Sequence, residues 1–216
     1  MDGTAAPLLG EELPVELMNT VWADRDGVHD ALGTPALALG WWRAVHDRLP
    51  PRPPTVDHWL REPGPDGLDA AADDLRRLRD ALRRLAADTT GDDRPAGAAL
   101  PDREVALAVL DRACAAAPTW SSLRWPDGES PRRVVHGDAA PGAVLVAGLA
   151  EGGAAFFAGE QASLLRACHG PGCVLYFTQQ HPRREWCSAG CGNRARVARH
   201  YRRHRPSTTA TREDTR

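Results

Sequence analysis

Apolar residues recur at helical spacing through the first half of the chain. The clearest stretch is Leu68–Ala87, where Leu75, Leu78, Leu82 and Leu85 form one stripe and aspartates and arginines fill the rest. That pattern predicts an amphipathic helix with one buried face. Glu11–Trp22 places Leu13, Leu17, Met18 and Val21 at similar spacings, with Pro14 in the first turn, and predicts a short helix. Thr34 and Pro35 open another as cap and first helical residue, running to about Arg48 and burying Leu37, Trp41, Trp42 and Val45. Val56–Leu60 reads as a short helical piece and Asp102–Ala116 as a further helix. Between them lie a stiff connector, Pro50-Pro51-Arg52-Pro53-Pro54, a turn cluster over 63–67, and a polar loop over 89–99.

The period then changes. Trp120–Trp125 and Arg132–Val135 flank Pro126-Asp127-Gly128-Glu129-Ser130, which predicts a hairpin and the only sheet of the body. Pro141–Ala158 carries two signals. Leu145, Leu149 and Phe156 suit a buried helix, whereas Gly148, Gly152 and Gly153 suit a turn between strands.

Four of the five cysteines fall in residues 168–191, as Cys168 and Cys173, then Cys187 and Cys191, with thirteen residues between the pairs. Each pair comes from one short turn, the arrangement by which thiolates converge on one ion, and it predicts a structural zinc site. Two disulfides, four free thiols, or His169 or His181 replacing one cysteine are the alternatives. Ser188 caps a proline-free stretch from Ala189 to about His204, a basic helix. Arg194, Ala198, Arg202 and Arg205 line one stripe of it, and Arg196, Arg199 and Arg203 line a second; Val197 and Tyr201 are expected to pack back onto the zinc lobe. Residues 183–205 hold eight arginines against Glu185, about +7, an electrostatic footprint for phosphate.

The run Trp186-Cys187-Ser188, then Cys191-Gly192-Asn193-Arg194, then a basic helix ending in His200-Tyr201-Arg202-Arg203, resembles the CGNR zinc finger over about forty residues. This chain has a shorter loop between its last two cysteines than many members. The resemblance implies an N-terminal ABATE domain before the finger, in proteins described as stress-induced transcription regulators. Glu16-Leu17-Met18-Asn19-Thr20-Val21 resembles the opening signature of such domains, making Asn19 and Thr20 candidates for a ligand contact or, as the local alternative, a helix end. The same resemblance favours a helix over 141–158.

Composition narrows the function. The 216 residues carry a net charge of −2, but residues 1–182 hold 17 arginines and 26 acids, an acidic body bearing one basic hook. There is no run of eighteen apolar residues and no secretory leader pattern, so a cytoplasmic protein with no membrane span is expected. A reducing compartment favours metal over disulfides. Cys114 reads as a small buried residue. His136-Gly137-Asp138 resembles the catalytic loop of aminoglycoside phosphotransferases, but Ala143 stands where the magnesium asparagine belongs and the chain has no lysine. Asp138 is expected to cap the following helix, and no enzyme is expected.

The expected architecture is α+β: a mostly helical domain with a small β-hairpin over 1–160, a four-cysteine zinc finger of short hairpin and basic helix over 161–205, and a disordered tail over 206–216. Cys168, Cys173, Cys187 and Cys191 hold one Zn2+. Arg183, Arg184, Asn193, Arg194, Arg196, Arg199, Arg202 and Arg203 are the candidate DNA contacts, Asn193 reaching a base edge or fixing its own turn. The body senses a small molecule or forms a homodimer. A zinc-shaped module for RNA or an acidic protein is the alternative.

Overall fold

The computed structural model describes residues 6–64, 67–95 and 100–204. Arg205, the tail over 206–216, and parts of the 63–67 turn and the 89–99 loop lie outside the described residues.

Helix α1 (Leu13–Met18) leads into a hairpin, β1 (Val21–Asp24) and β2 (Gly27–Asp30). Helix α2 (Pro35–Ala44) starts where Thr34 Oγ1 accepts the Leu37 amide, and a 3-10 turn (His46–Arg48) follows it. Helices α3 (Pro54–Arg61), α4 (Leu68–Thr90) and α5 (Arg103–Ala115) precede a second hairpin, β3 (Trp120–Arg124) with β4 (Arg132–His136). Helix α6 (Pro141–Ala158), a 3-10 turn (Glu160–Leu164), the pair β5 (Leu165–Ala167) and β6 (Tyr176–Thr178), and helix α7 (Ala189–His204) complete the chain.

Helices α4, α5 and α6 pack on one another, with α1 on α4 and α6, α2 on α4, and α3 on α6. The predicted leucine stripe of α4 is buried, Leu75, Leu78 and Leu82 completely. Pro141–Ala158 is a helix, and two of its glycines are contact points, not turns. A Cβ on Gly142 would lie 2.5 Å from Ala71 Cβ, and one on Gly153 would lie 2.7 Å from Leu82 Cδ2. Only a bare Cα lets α6 come this close to α4. By length and apolar content α6 could cross a bilayer, but half of it is buried, against α1, α3, α4 and α5.

Three expectations are corrected. The β3–β4 hairpin is not the only sheet of the body: Val21–Asp30, assigned in part to the first helix, turns through Arg25 and Asp26 into β1–β2. Asp-Gly at 26–27 was the signal, since Gly27 takes a φ of 131°. Asp138 does not cap α6; the cap residue is Ala140, with no side-chain bond, and Pro141 in the first turn needs no acceptor for a missing N–H. Cys114 is only half-buried, at the edge of the core.

The finger is built into the body. Leu165, Ala167 and Tyr176 belong to the same apolar core as the α4 and α6 side chains. Polar bonds cross at the same seam. Asn19, which ends α1, donates through Nδ2 to the Tyr176 carbonyl (2.9 Å) and accepts the Tyr176 amide at Oδ1 (2.8 Å), as a neighbouring strand would. Glu11 Oε2 accepts the Thr178 amide (3.0 Å) and hydroxyl (2.5 Å). Arg83, 2% exposed, donates to the carbonyls of Met18 (2.7 Å) and Val174 (3.2 Å) and lies over the Tyr176 ring. Asn19 and Thr20 are fully buried, Thr20 Oγ1 bonding the Leu17 carbonyl. Asn19 ties the end of α1 to β6, Thr20 closes the turn after α1, and neither offers surface to a ligand.

Candidate metal centre and basic helix

Cys168 follows β5 and Cys173 precedes β6, so the hairpin delivers both from one knuckle, His169-Gly170-Pro171-Gly172, in which Gly172 has a φ of 72°. The Cys173 amide donates to the Gly170 carbonyl at 2.8 Å, closing the turn. Cys187 and Cys191 flank the start of α7. Ser188 Oγ accepts the Cys191 amide at 3.3 Å, the expected N-cap, and this fixes the first turn that carries Cys191.

All four sulfurs are buried and lie within 4.8 Å of one another. Cys173 and Cys187 Sγ are 3.8 Å apart, Cys187 and Cys191 Sγ 3.4 Å. A tetrahedron with Zn–S bonds of about 2.3 Å has edges of ~3.8 Å. The sulfur chemistry agrees with that geometry. Hydrogen bonds from Cys173 and Cys187 favour the Cys168 thiolate, and those same bonds, with burial, push the Cys173 and Cys187 thiols well up. Four adjacent thiols cannot all ionise unaided, and a divalent cation lets them. The residues fit one structural zinc held by Cys168, Cys173, Cys187 and Cys191, with no position left open for water. His181 accepts the Arg183 amide at Nδ1 and stands outside the sulfur cluster.

The tetrapeptide after the last turn divides its work. Gly192 faces Trp186: a Cβ there would lie 3.1 Å from Trp186 Cδ1. Gly192→Ala should therefore cost about 1–3 kcal/mol by overpacking and weaken zinc retention in a chelator competition, while the α4 core melts as before. Asn193 is exposed and accepts from Arg196 Nη2 at 3.0 Å. Arg194 Nη2 donates to Cys191 Sγ at 3.0 Å, softening the charge that four thiolates and one zinc would carry.

Other candidate contacts separate the same way. Arg184 is held inside: it pairs with Glu11 Oε1 at 2.5 Å, donates to the Thr178 and Cys187 carbonyls, and lies over the Phe177 ring. Arg183, Arg196, Arg199, Arg202 and Arg203 are exposed. None of the five has an acid within ion-pair distance among the described residues, unlike Arg48, Arg52, Arg76, Arg79 and Arg84 of the body.

Val197 and Tyr201 do not pack onto the lobe; they are 51% and 71% exposed. Cys191 must face the sulfurs, so the buried side of α7 continues at Ala195, one turn on. Val197 and Tyr201 lie about 240–280° around from Cys191, while Arg196, Arg199, Arg202 and Arg203 fall within an arc of about 120°.

Sequence reasoning missed the residues that brace the lobe from the body. Arg94 Nη1 donates to the carbonyls of both Cys168 and Cys173, at 2.7 Å each. Asp92, its side chain fully buried, pairs with Arg94 (2.6 Å) and accepts from Tyr176 Oη (2.7 Å). Burial alone would raise the Asp92 carboxyl, but these two partners outweigh it and hold it at about 2. Trp22 of β1, stacked on His29, packs against the cysteine cluster. Nothing in the local sequence marks these residues as neighbours of the metal.

Comparison with known families accords with this arrangement. The model of the ABATE family, described as "Putative stress-induced transcription regulator", matches residues 11–160, and that of the CGNR zinc finger matches residues 165–204. No curated protein matches the chain. The seam drawn by Asn19, Arg83 and Arg94 is thus where those two modules meet, and the chain belongs to the ABATE family, with a CGNR zinc finger joined to its C-terminal side.

Proposed function

We propose that the protein is a DNA-binding transcription regulator in which zinc fixes α7 as the contact element. The observation that carries this reading is the unpaired charge on α7. Arg196, Arg199, Arg202 and Arg203 share one broad face and meet no acid among the described residues. Beyond Ala195 the helix is exposed for about two turns, ~13 Å, enough to lie along a phosphate backbone or enter a groove. The net acidity of the body weakens nonspecific duplex contact away from that hook. A cytoplasmic, reducing setting keeps the four thiols available to zinc. The ion fills its coordination with sulfur and serves shape, not catalysis.

Binding of the zinc-loaded protein to duplex DNA should fall steeply with salt, by about 0.9 log units of affinity per log unit of salt for each phosphate contact. Replacing Arg199, Arg202 and Arg203 with alanine should flatten the slope by ~3. A salt-insensitive gel shift, or the same slope in the triple variant, removes the reading. For the N-terminal domain, an apolar cleft of about 320 Å³ lined by Leu8, Leu37 and Trp41 supports a small-molecule sensing role.

The exposure of Val197 and Tyr201 favours one second reading, a zinc-shaped surface for a partner protein. Duplex DNA competes with such a partner only if the arginine face serves both.

A further inference from the structure

The β3–β4 hairpin gets little support from the rest of the fold. An isolated two-stranded ribbon is marginal in water, and of its strand residues only Val135 is buried. Trp120, Leu123 and Trp125 are 53%, 67% and 69% exposed. Large apolar side chains held in water on a ribbon this thin mark a contact surface.

The register shows its chemistry. Trp120 lies opposite His136, Ser122 opposite Val134 and Arg124 opposite Arg132, so these six share one face. Trp120 and His136 are stacked, centroids 5.9 Å apart and planes at 21°. Ser122 Oγ meets His136 Nε2 at 2.7 Å and steadies the imidazole. At the other end two arginines stand directly opposite each other. Like charges at such a position oppose folding, and neither has an acidic partner among the described residues. Arg124, Arg132 and Arg133, with Arg52, line an open cleft of about 590 Å³ between the ribbon and the Pro51–Pro54 segment.

One face therefore offers a cation pair and, ~13 Å along the strand, a flat aromatic platform. A ligand that answers both has anionic groups and free ring faces strung along a flexible chain. Unpaired nucleotides do, placing phosphates on the guanidiniums and bases on the rings. A duplex keeps its base faces covered. We propose that the β3–β4 ribbon binds single-stranded nucleic acid, with Arg124 and Arg132 on phosphates and the Trp120–His136 platform stacking on a base. This inference does not depend on α7.

The test is fluorescence anisotropy of labelled oligo(dT) and oligo(U), each of ~10 nucleotides, with the full-length zinc-loaded chain. Binding to at least one is expected at low salt, and the stronger arm identifies DNA or RNA. Trp120→Ala should weaken it by about 5- to 100-fold, as loss of one stacked base does, whereas Trp125→Ala, beyond β3 and outside this face, should leave it near wild type. Trp120→Phe should retain most of the affinity. Arg124→Glu, at the exposed ribbon tip, should abolish binding without disturbing packing, and duplex binding should be unchanged in all four variants. Absence of binding to both oligomers overturns the proposal, as does wild-type affinity in the Trp120→Ala variant. So does sedimentation of the wild type as a dimer that these variants dissociate, which would assign the face to a second copy of the chain.

Discussion

Removing the metal should loosen far more than the finger. Structural zinc typically contributes about 10–16 kcal/mol to small zinc-binding units, the largest single term expected here. The first loss is the knuckle, where Cys168 and Cys173 would keep the Arg94 bonds and the backbone bonds of the turn but lose the ion that joins their sulfurs. Strand β6 follows, and with it the acceptors and donors that Asn19, Glu11 and Arg83 use. Hydrogen exchange of chelator-treated protein, or of a Cys187→Ser Cys191→Ser double variant, should rise over residues 165–204 and also over 11–20 and 91–95. Helices α5 and α6 should keep their protection, since they pack on α4 and on each other. Exchange confined to 168–204 would mean that the body closes over the seam unaided.

Arg83→Leu should destabilise the whole chain by about 3–5 kcal/mol. The guanidinium is buried on α4, and burial pulls its pKa down, so its presence is a cost that only its partners offset. Those partners are the Met18 carbonyl at the end of α1, the Val174 carbonyl before β6, and the face of Tyr176. Leucine fills much of the volume but leaves two carbonyls without a donor, at about 1–3 kcal/mol each. A melting temperature lower by about 10 °C is expected. Zinc should leave at a lower chelator concentration too, because the same side chain serves both modules. Arg77→Ala, on the exposed face of the same helix and paired with Asp74, should stay within about 0.5 kcal/mol of wild type. Equal effects at the two positions would remove Arg83 from the seam.

The contrast between those two arginines shows what could be read from the chain. Period and spacing are local, so the α4 stripe, the Ser188 cap, the β3–β4 hairpin and the cysteine quartet were legible. Gly148 and Gly153 misled in part, because a glycine marks close approach as often as a turn, and only the segment packed against it tells which. Val197 and Tyr201 were placed by hydrophobicity when the governing constraint was the direction of Cys191. Arg83 and Arg77 look alike in sequence. Their roles depend on contacts up to 91 residues away, for which periodicity carries no signal. Glu11, Asp92 and Arg94 were hidden for the same reason.

Asn19 has a practical corollary. Its amide stands in for a missing third strand beside β6. A fragment cut at residue 161 would keep every sulfur and every α7 arginine, yet expose the Tyr176 edge as raw backbone, ready to pair with other copies. Operator selection with such a fragment would then report aggregation instead of recognition, so the intact chain is the proper bait.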